Sequence, residues 1–168
     1  MKKYSGFLVA LIAFFCFTCG TYAAQGYTAA DLKKAPDFQL FDLKAKEVSL
    51  SDYKDKQAVV LFFWTTWCPY CRAELKRLNA ECAGLAKASV AVLAINVGEP
   101  KYKVESFVQS HNLLGFTVLL DRDSLAAETY DLLGVPAYFV IDSSGRIVSM
   151  GNRFPGDILK ELAGKHSK

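Results

Sequence analysis

The stretch Trp64-Thr65-Thr66-Trp67-Cys68-Pro69-Tyr70-Cys71-Arg72-Ala73-Glu74 joins two segments of different period. Before it, Ala58 to Trp64 is a continuous apolar run of the kind a strand buried on both faces requires. After it, Cys71, Leu75, Leu78, Cys82 and Leu85 recur at spacings of four, three, four and three, which predicts a helix from Pro69 to Lys87 with one buried stripe. Cys68 therefore stands where strand becomes helix. Pro69 takes a first-turn position, where its missing N–H costs nothing, and Cys71 falls one turn further in.

Two cysteines at this spacing on a helical turn have Cα atoms about 5–6 Å apart, within the range a disulfide accepts. The helix N-terminus offers partial positive charge and free N–H groups, so a thiolate on Cys68 is stabilised and its pKa is expected below the ordinary value of ~8.5. Cys68 reads as the nucleophile of a redox pair. Cys71, inside the apolar stripe, reads as the less accessible thiol that resolves a mixed disulfide formed by Cys68. A lone C-x-x-C can also be half of a zinc site. The rest of the chain offers Cys82, His111 and His166 without ligand-like spacing, so no metal is expected.

Outward from this motif, the N-terminus has the layout of an export signal. Met1-Lys2-Lys3 is positive, Phe7 to Thr18 is apolar, and Gly20 to Ala24 is rich in small residues. Residues 1–24 are read as a signal peptide, with an uncleaved N-terminal anchor as the alternative, and 25–168 as one domain. Cys19-Gly20 faintly resembles a lipid-acceptor site, but Thr18 fits poorly before it. The remaining 144 residues suffice for one domain with a real core and are too few for two ordinary ones. Lys2 and Lys3 supply two of the twenty basic residues, which leaves eighteen against seventeen acidic ones. That balance gives no electrostatic case for a nucleic-acid partner. Cys82, the odd cysteine of the domain, reads as a buried spectator thiol, with a third redox thiol as the alternative.

Pro36 to Leu43 and Glu47 to Leu50 predict a β-hairpin, and Ser51 to Asp55 a polar turn, preceded by a short helical stretch from Thr28. Val90 to Val97 is a second apolar strand, Lys101 to His111 a helix and Phe116 to Leu120 a strand. Asp121-Arg122-Asp123-Ser124 is expected to cap a helix through Leu125, Tyr130 and Leu133 that stops at Gly134. Ala137 to Ile141 and Arg146 to Met150 read as an antiparallel pair, and Pro155 to Leu162 as a closing helix. The fold class is α/β, a central mixed sheet flanked by helices.

With these elements in place, the run from Ala35 to about Leu162 resembles the thioredoxin fold, and more narrowly the exported TlpA and ResA-like thiol-disulfide oxidoreductases. The residues that carry the likeness are Ala35-Pro36-Asp37-Phe38, Phe62-Phe63-Trp64 before Thr66-Trp67-Cys68, Ala94-Ile95-Asn96-Val97-Gly98, and Gly134-Val135-Pro136. The hairpin at the start and the α-β insert around residues 99–120 belong to the same likeness. It implies a cis Pro136 against the disulfide and substrate entry by strand addition at Val135 and Pro136. Trp67, Pro69 and Tyr70 are expected to meet the substrate beside them. It also implies that Glu74, three residues after Cys71, sits near the dithiol and influences its titration, whereas spacing alone equally allows a solvated carboxylate near the helix N-terminus. Pro69-Tyr70 departs from the likeness, being the glutaredoxin dipeptide, and bears on the reduction potential.

What the resemblance implies for function is a periplasmic or otherwise extracytoplasmic reductant of protein disulfides that needs no cofactor. Such proteins often serve the haem-binding cysteines of apocytochromes c in cytochrome c biogenesis and are recharged by a membrane thiol donor. The absence of a histidine or other cation between Cys68 and Cys71 agrees with a reductant. Two other classes use the same fold. A peroxiredoxin-like peroxidase would match Thr65 but requires a proline where Leu61 stands, and a thioredoxin-like metal carrier would require a late histidine that neither His111 nor His166 supplies.

Overall fold

Among the described residues, seven strands and four α-helices follow one another as β1 (Gln39–Asp42), β2 (Glu47–Ser49), β3 (Ala58–Trp64), α1 (Pro69–Lys87), β4 (Val90–Val97), α2 (Lys101–Ser110), β5 (Thr117–Asp121), α3 (Leu125–Thr129), β6 (Ala137–Ile141), β7 (Ile147–Gly151) and α4 (Gly156–Lys165). The computed structural model describes residues 33–165, which belong to one compact unit. The export signal or anchor of residues 1–24, the helical stretch from Thr28 and His166 lie outside the described residues. The sheet order is β2-β1-β5-β4-β3-β6-β7. β3, β4 and β5 run parallel, and β6 and β1 join antiparallel on either side, which makes the sheet mixed.

β3 is the axis of the packing because its period-two alternation serves two cores at once. Ala58, Val60, Phe62 and Trp64 face the layer that contains the α1 stripe, Val104 and Val108 of α2, and Leu159 and Leu162 of α4. Val59, Leu61 and Phe63 face the other layer, with Val48, Leu50, Ala126 and Tyr130. The expected stripe of Cys71, Leu75, Leu78, Cys82 and Leu85 is the buried face of α1.

Several boundaries differ from expectation, three of them for a visible physical reason. Leu50 does not continue β2: Leu50–Tyr53 is one 3₁₀ turn, and the Asp52 carboxylate accepts the Ser49 N–H at 3.0 Å, a cap that competes with strand pairing. Asp121 alone caps α3, accepting the N–H groups of Ala126 and Ala127 at 3.1 and 2.9 Å. Ser124, although adjacent to α3, is left-handed (φ 60°) and makes no side-chain cap. α3 also ends at Thr129, five residues before Gly134. Asp131 adopts φ 51°, its N–H bonds the Glu128 carbonyl, and the Leu132 N–H reaches back to Ala127, a Schellman stop that leaves Leu133 fully exposed.

Candidate functional site

Cys68 is the N-cap of α1, with extended backbone (φ −78°, ψ 112°), and its sulfur does what a Ser or Asp oxygen ordinarily does there: it accepts the Cys71 N–H at 3.1 Å. The same N–H is available to a Cys68 thiolate when the pair is reduced. Cys68 and Cys71 are joined as a disulfide with Cα atoms 5.3 Å apart. Cys68 retains 3% of its exposure and Cys71 none, so an incoming group meets Cys68 first.

The loop that presents Cys68 is held from 33 residues away. Glu99, buried just after β4, accepts the Thr66 N–H (2.6 Å) and the Asn96 side-chain N–H (2.8 Å) on one oxygen. On the other it accepts the Thr66 hydroxyl at 2.7 Å and pairs with Lys103 at 2.7 Å. Burial alone would push the Glu99 carboxyl up. The donors from Asn96, Lys103 and Thr66 outweigh that and hold it below the usual carboxylate range. Thr66 is also held from the other side, since its carbonyl accepts two N–H groups of Arg72 at 3.2 and 3.3 Å. Trp67 therefore leaves a fixed base and stands 65% exposed next to Cys68. In the sequence neither Glu99 nor Thr66 stands out as functional; the only signal is an acidic residue directly after an apolar strand.

Beside the dithiol lies an open groove of about 1060 Å³, whose lining includes Tyr70, Glu74, Val135, Pro136, Tyr138 and Met150. The Val135–Pro136 bond is cis, and the Val135 carbonyl oxygen stands 3.8 Å from the Cys68 sulfur. Four of the expected site residues, Tyr70, Glu74, Val135 and Pro136, thus share one surface. Trp67 and Pro69 are exposed next to Cys68 without lining it. Glu74 is half-buried and does not act at the helix N-terminus. One of its oxygens accepts the Tyr138 hydroxyl at 2.8 Å and the Phe154 N–H at 3.1 Å.

Cys82 is free and buried, and burial pushes its thiol up to about 11. It is therefore protonated at neutral pH and shielded from reagents. When the reduced protein is alkylated near pH 8, the Cys82 peptide is expected to remain unmodified in the native state and to label fully in denaturant; peptide mass mapping reads the difference. Native labelling at the rate of Cys68 would remove the spectator role. His111 stacks on Phe107 with ring centroids 4.1 Å apart.

The comparisons with known proteins agree with this geometry. The AhpC/TSA family model matches residues 32–150. The thiol-disulfide oxidoreductase ResA of Geobacillus kaustophilus is 38% identical over 150 residues, covering 89% of this chain and 80% of that protein. Among solved structures, the thioredoxin domain of a Bacteroides vulgatus thiol-disulfide oxidoreductase shares the fold, with a TM-score of 0.69 at 23% identity over 81% of this chain and 96% of that one. A secreted disulfide oxidoreductase of Mycobacterium tuberculosis aligns with a TM-score of 0.63 at 26% identity, covering 76% and 95%. A close cysteine pair at a strand-to-helix junction, a groove beside it and relatives of this kind place the chain in the AhpC/TSA family, among the ResA-like thiol-disulfide oxidoreductases of thioredoxin-like fold.

Proposed function

We propose that this thiol-disulfide oxidoreductase works outside the cytoplasm as a reductant of protein disulfides, with the paired cysteines of apocytochromes c as its client class. The observation that carries the reading is the groove that runs from Tyr70 to the Val135 carbonyl, 3.8 Å from the Cys68 sulfur. An extended client segment laid along Val135 would bring its own disulfide to Cys68. The Cys68 thiolate attacks one client sulfur and the other leaves as a thiolate. Cys71 then gives up its proton and attacks Cys68, releasing the second client thiolate and closing the Cys68–Cys71 disulfide. Glu74, in the same groove, is the carboxylate proposed to exchange that proton. A membrane thiol donor supplies the two electrons that reopen the pair. The N-terminal leader and the secreted Mycobacterium tuberculosis relative support the location.

Equilibration of the purified protein against glutathione tests the direction of transfer. A reduction potential below about −200 mV is expected, and one near about −120 mV, that of a strong oxidant, would overturn the reductant role. Glu74→Gln is expected to slow exchange and lower the apparent thiol pKa, because a nearby negative charge opposes a thiolate. An unchanged pH–rate profile would remove Glu74 from the mechanism.

A further inference from the structure

Tyr138 follows Pro136 by two residues and is fully buried, yet its hydroxyl reaches the groove and donates to the Glu74 carboxylate at 2.8 Å. The ring cannot swing away. It packs tilted against Phe62 of the central strand at 4.5 Å and meets the edge of Phe154 at 6.3 Å, and Phe154 lies under the Arg77 guanidinium at 4.4 Å. The Phe154 N–H supplies the second donor to the same Glu74 oxygen, 80 residues along the chain. Val135 to Tyr138 therefore touches the redox site at two points, the Val135 carbonyl near Cys68 and the Tyr138 hydroxyl on Glu74.

We infer that Tyr138 is a positioning residue for Glu74: its hydroxyl holds the carboxylate in the groove beside the dithiol and, through it, shapes the pH dependence of disulfide exchange. The inference rests on the proposed role of Glu74. Burial, reinforced by Glu74 itself, pushes the Tyr138 hydroxyl well above the range of a free tyrosine, so it remains a donor at every working pH. It is a fixed hook that does not titrate with the groups it serves. The charged groups around it are Arg77 on α1 and Lys33, Asp131 and Arg153 on the groove wall. Among the described residues none of these forms a salt bridge with Glu74, which leaves the two hydrogen bonds as its tethers. In the resolving step the proton leaves Cys71 for Glu74 as the Cys71 sulfur bonds to Cys68 and the Cys68–client bond breaks. The client thiolate then takes up the proton, so none is gained or lost.

Four proteins test this: the unaltered chain, Tyr138→Phe, Glu74→Gln and the double variant, each reduced and mixed with 5,5′-dithiobis(2-nitrobenzoate) from about pH 5 to about pH 9, a range that spans thiol titration. Phe keeps the ring and its packing, so folding is preserved and only the hydroxyl is lost. Tyr138→Phe is expected to move the midpoint of the pH–rate profile in the same direction as Glu74→Gln, toward lower pH, and to slow release of the second thionitrobenzoate, the Cys71 resolving step, roughly threefold to tenfold at neutral pH. In the Glu74→Gln background the Tyr138 change is expected to do nothing further. If Glu74→Gln shifts the profile and Tyr138→Phe does not, the inference fails while the Glu74 role stands. Equal effects of Tyr138→Phe with and without Glu74 also overturn it, since a purely structural loss would not depend on the carboxylate. If Glu74→Gln itself changes nothing, the role of Glu74 falls and the inference falls with it.

Discussion

In the Cys71→Ser variant, client proteins accumulate as mixed disulfides on Cys68 while multiple-turnover reduction drops by about a thousandfold or more. The asymmetry of burial makes the outcome directional. Cys68 is the sulfur that an incoming disulfide can reach, and Cys71, with no exposure, meets only a partner already attached to Cys68. A serine hydroxyl at 71 does not ionise near neutral pH, so the adduct has no internal route to release. Cys68→Ser should lose turnover equally but form no adducts. Non-reducing gels followed by mass spectrometry of the trapped species read both variants and name the clients. Absence of any adduct with exported proteins would rule out catalysis by exchange, and a set of clients without paired haem-binding cysteines would redirect the proposed client class.

Glu99→Ala is expected to carry the largest cost in stability. The substitution strands the Thr66 N–H, the Thr66 hydroxyl and the Asn96 amide in a buried site, and it releases Lys103. Removing one partner of a buried, hydrogen-bonded charge costs about 3–5 kcal/mol. For a domain of this size that lowers Tm by roughly 10–15 °C. The folded carboxyl is held below its unfolded value of about 4.3, so its contribution is fully present above that pH and disappears as pH falls through the lower folded value. Thermal melts at pH 7 should therefore separate Glu99→Ala from the parent widely, and the gap should shrink as the pH is lowered through the folded value, while the part due to the stranded Thr66 and Asn96 donors remains. Equal Tm values at pH 7 would mean that the Thr66 clamp is dispensable. Glu99→Gln is the informative companion, because its amide oxygen can keep the Thr66 and Asn96 bonds while the ion pair with Lys103 is lost. It should recover most of the difference.

What could be read in advance follows from how far apart the interacting residues are. The β3 run, the α1 stripe and the Cys68 N-cap depend on neighbours within a few residues, and a period of two or about 3.6 displays them directly. Glu99 and Tyr138 behave otherwise. In sequence Glu99 is a polar residue after a strand and Tyr138 one aromatic position in an apolar run. Each acquires its role only when the sheet brings it to Thr66, 33 residues back, or to Glu74, 64 residues back. The α3 boundary failed for a local reason. Gly134 was the conventional stop, but Asp131 accepts the left-handed conformation itself and ends the helix earlier. Likeness puts Glu74 near the dithiol, but no spacing rule displays its two hydrogen bonds to β6 and to Phe154.

The separation of 67 positions between Cys68 and Val135 also matters before the protein is finished. A nascent chain elongating at about 5–20 residues per second exposes both redox thiols for several seconds before the segment that will cover them exists. Cys82 emerges in the same interval, which creates an opportunity for a wrong pairing. Its position on α1 is the safeguard. Eleven residues of helix set Cys82 about 16 Å from Cys71, well beyond the ~7 Å that a disulfide can span. Once α1 has formed, lying on the same rod as the reactive pair keeps the third thiol out of its reach.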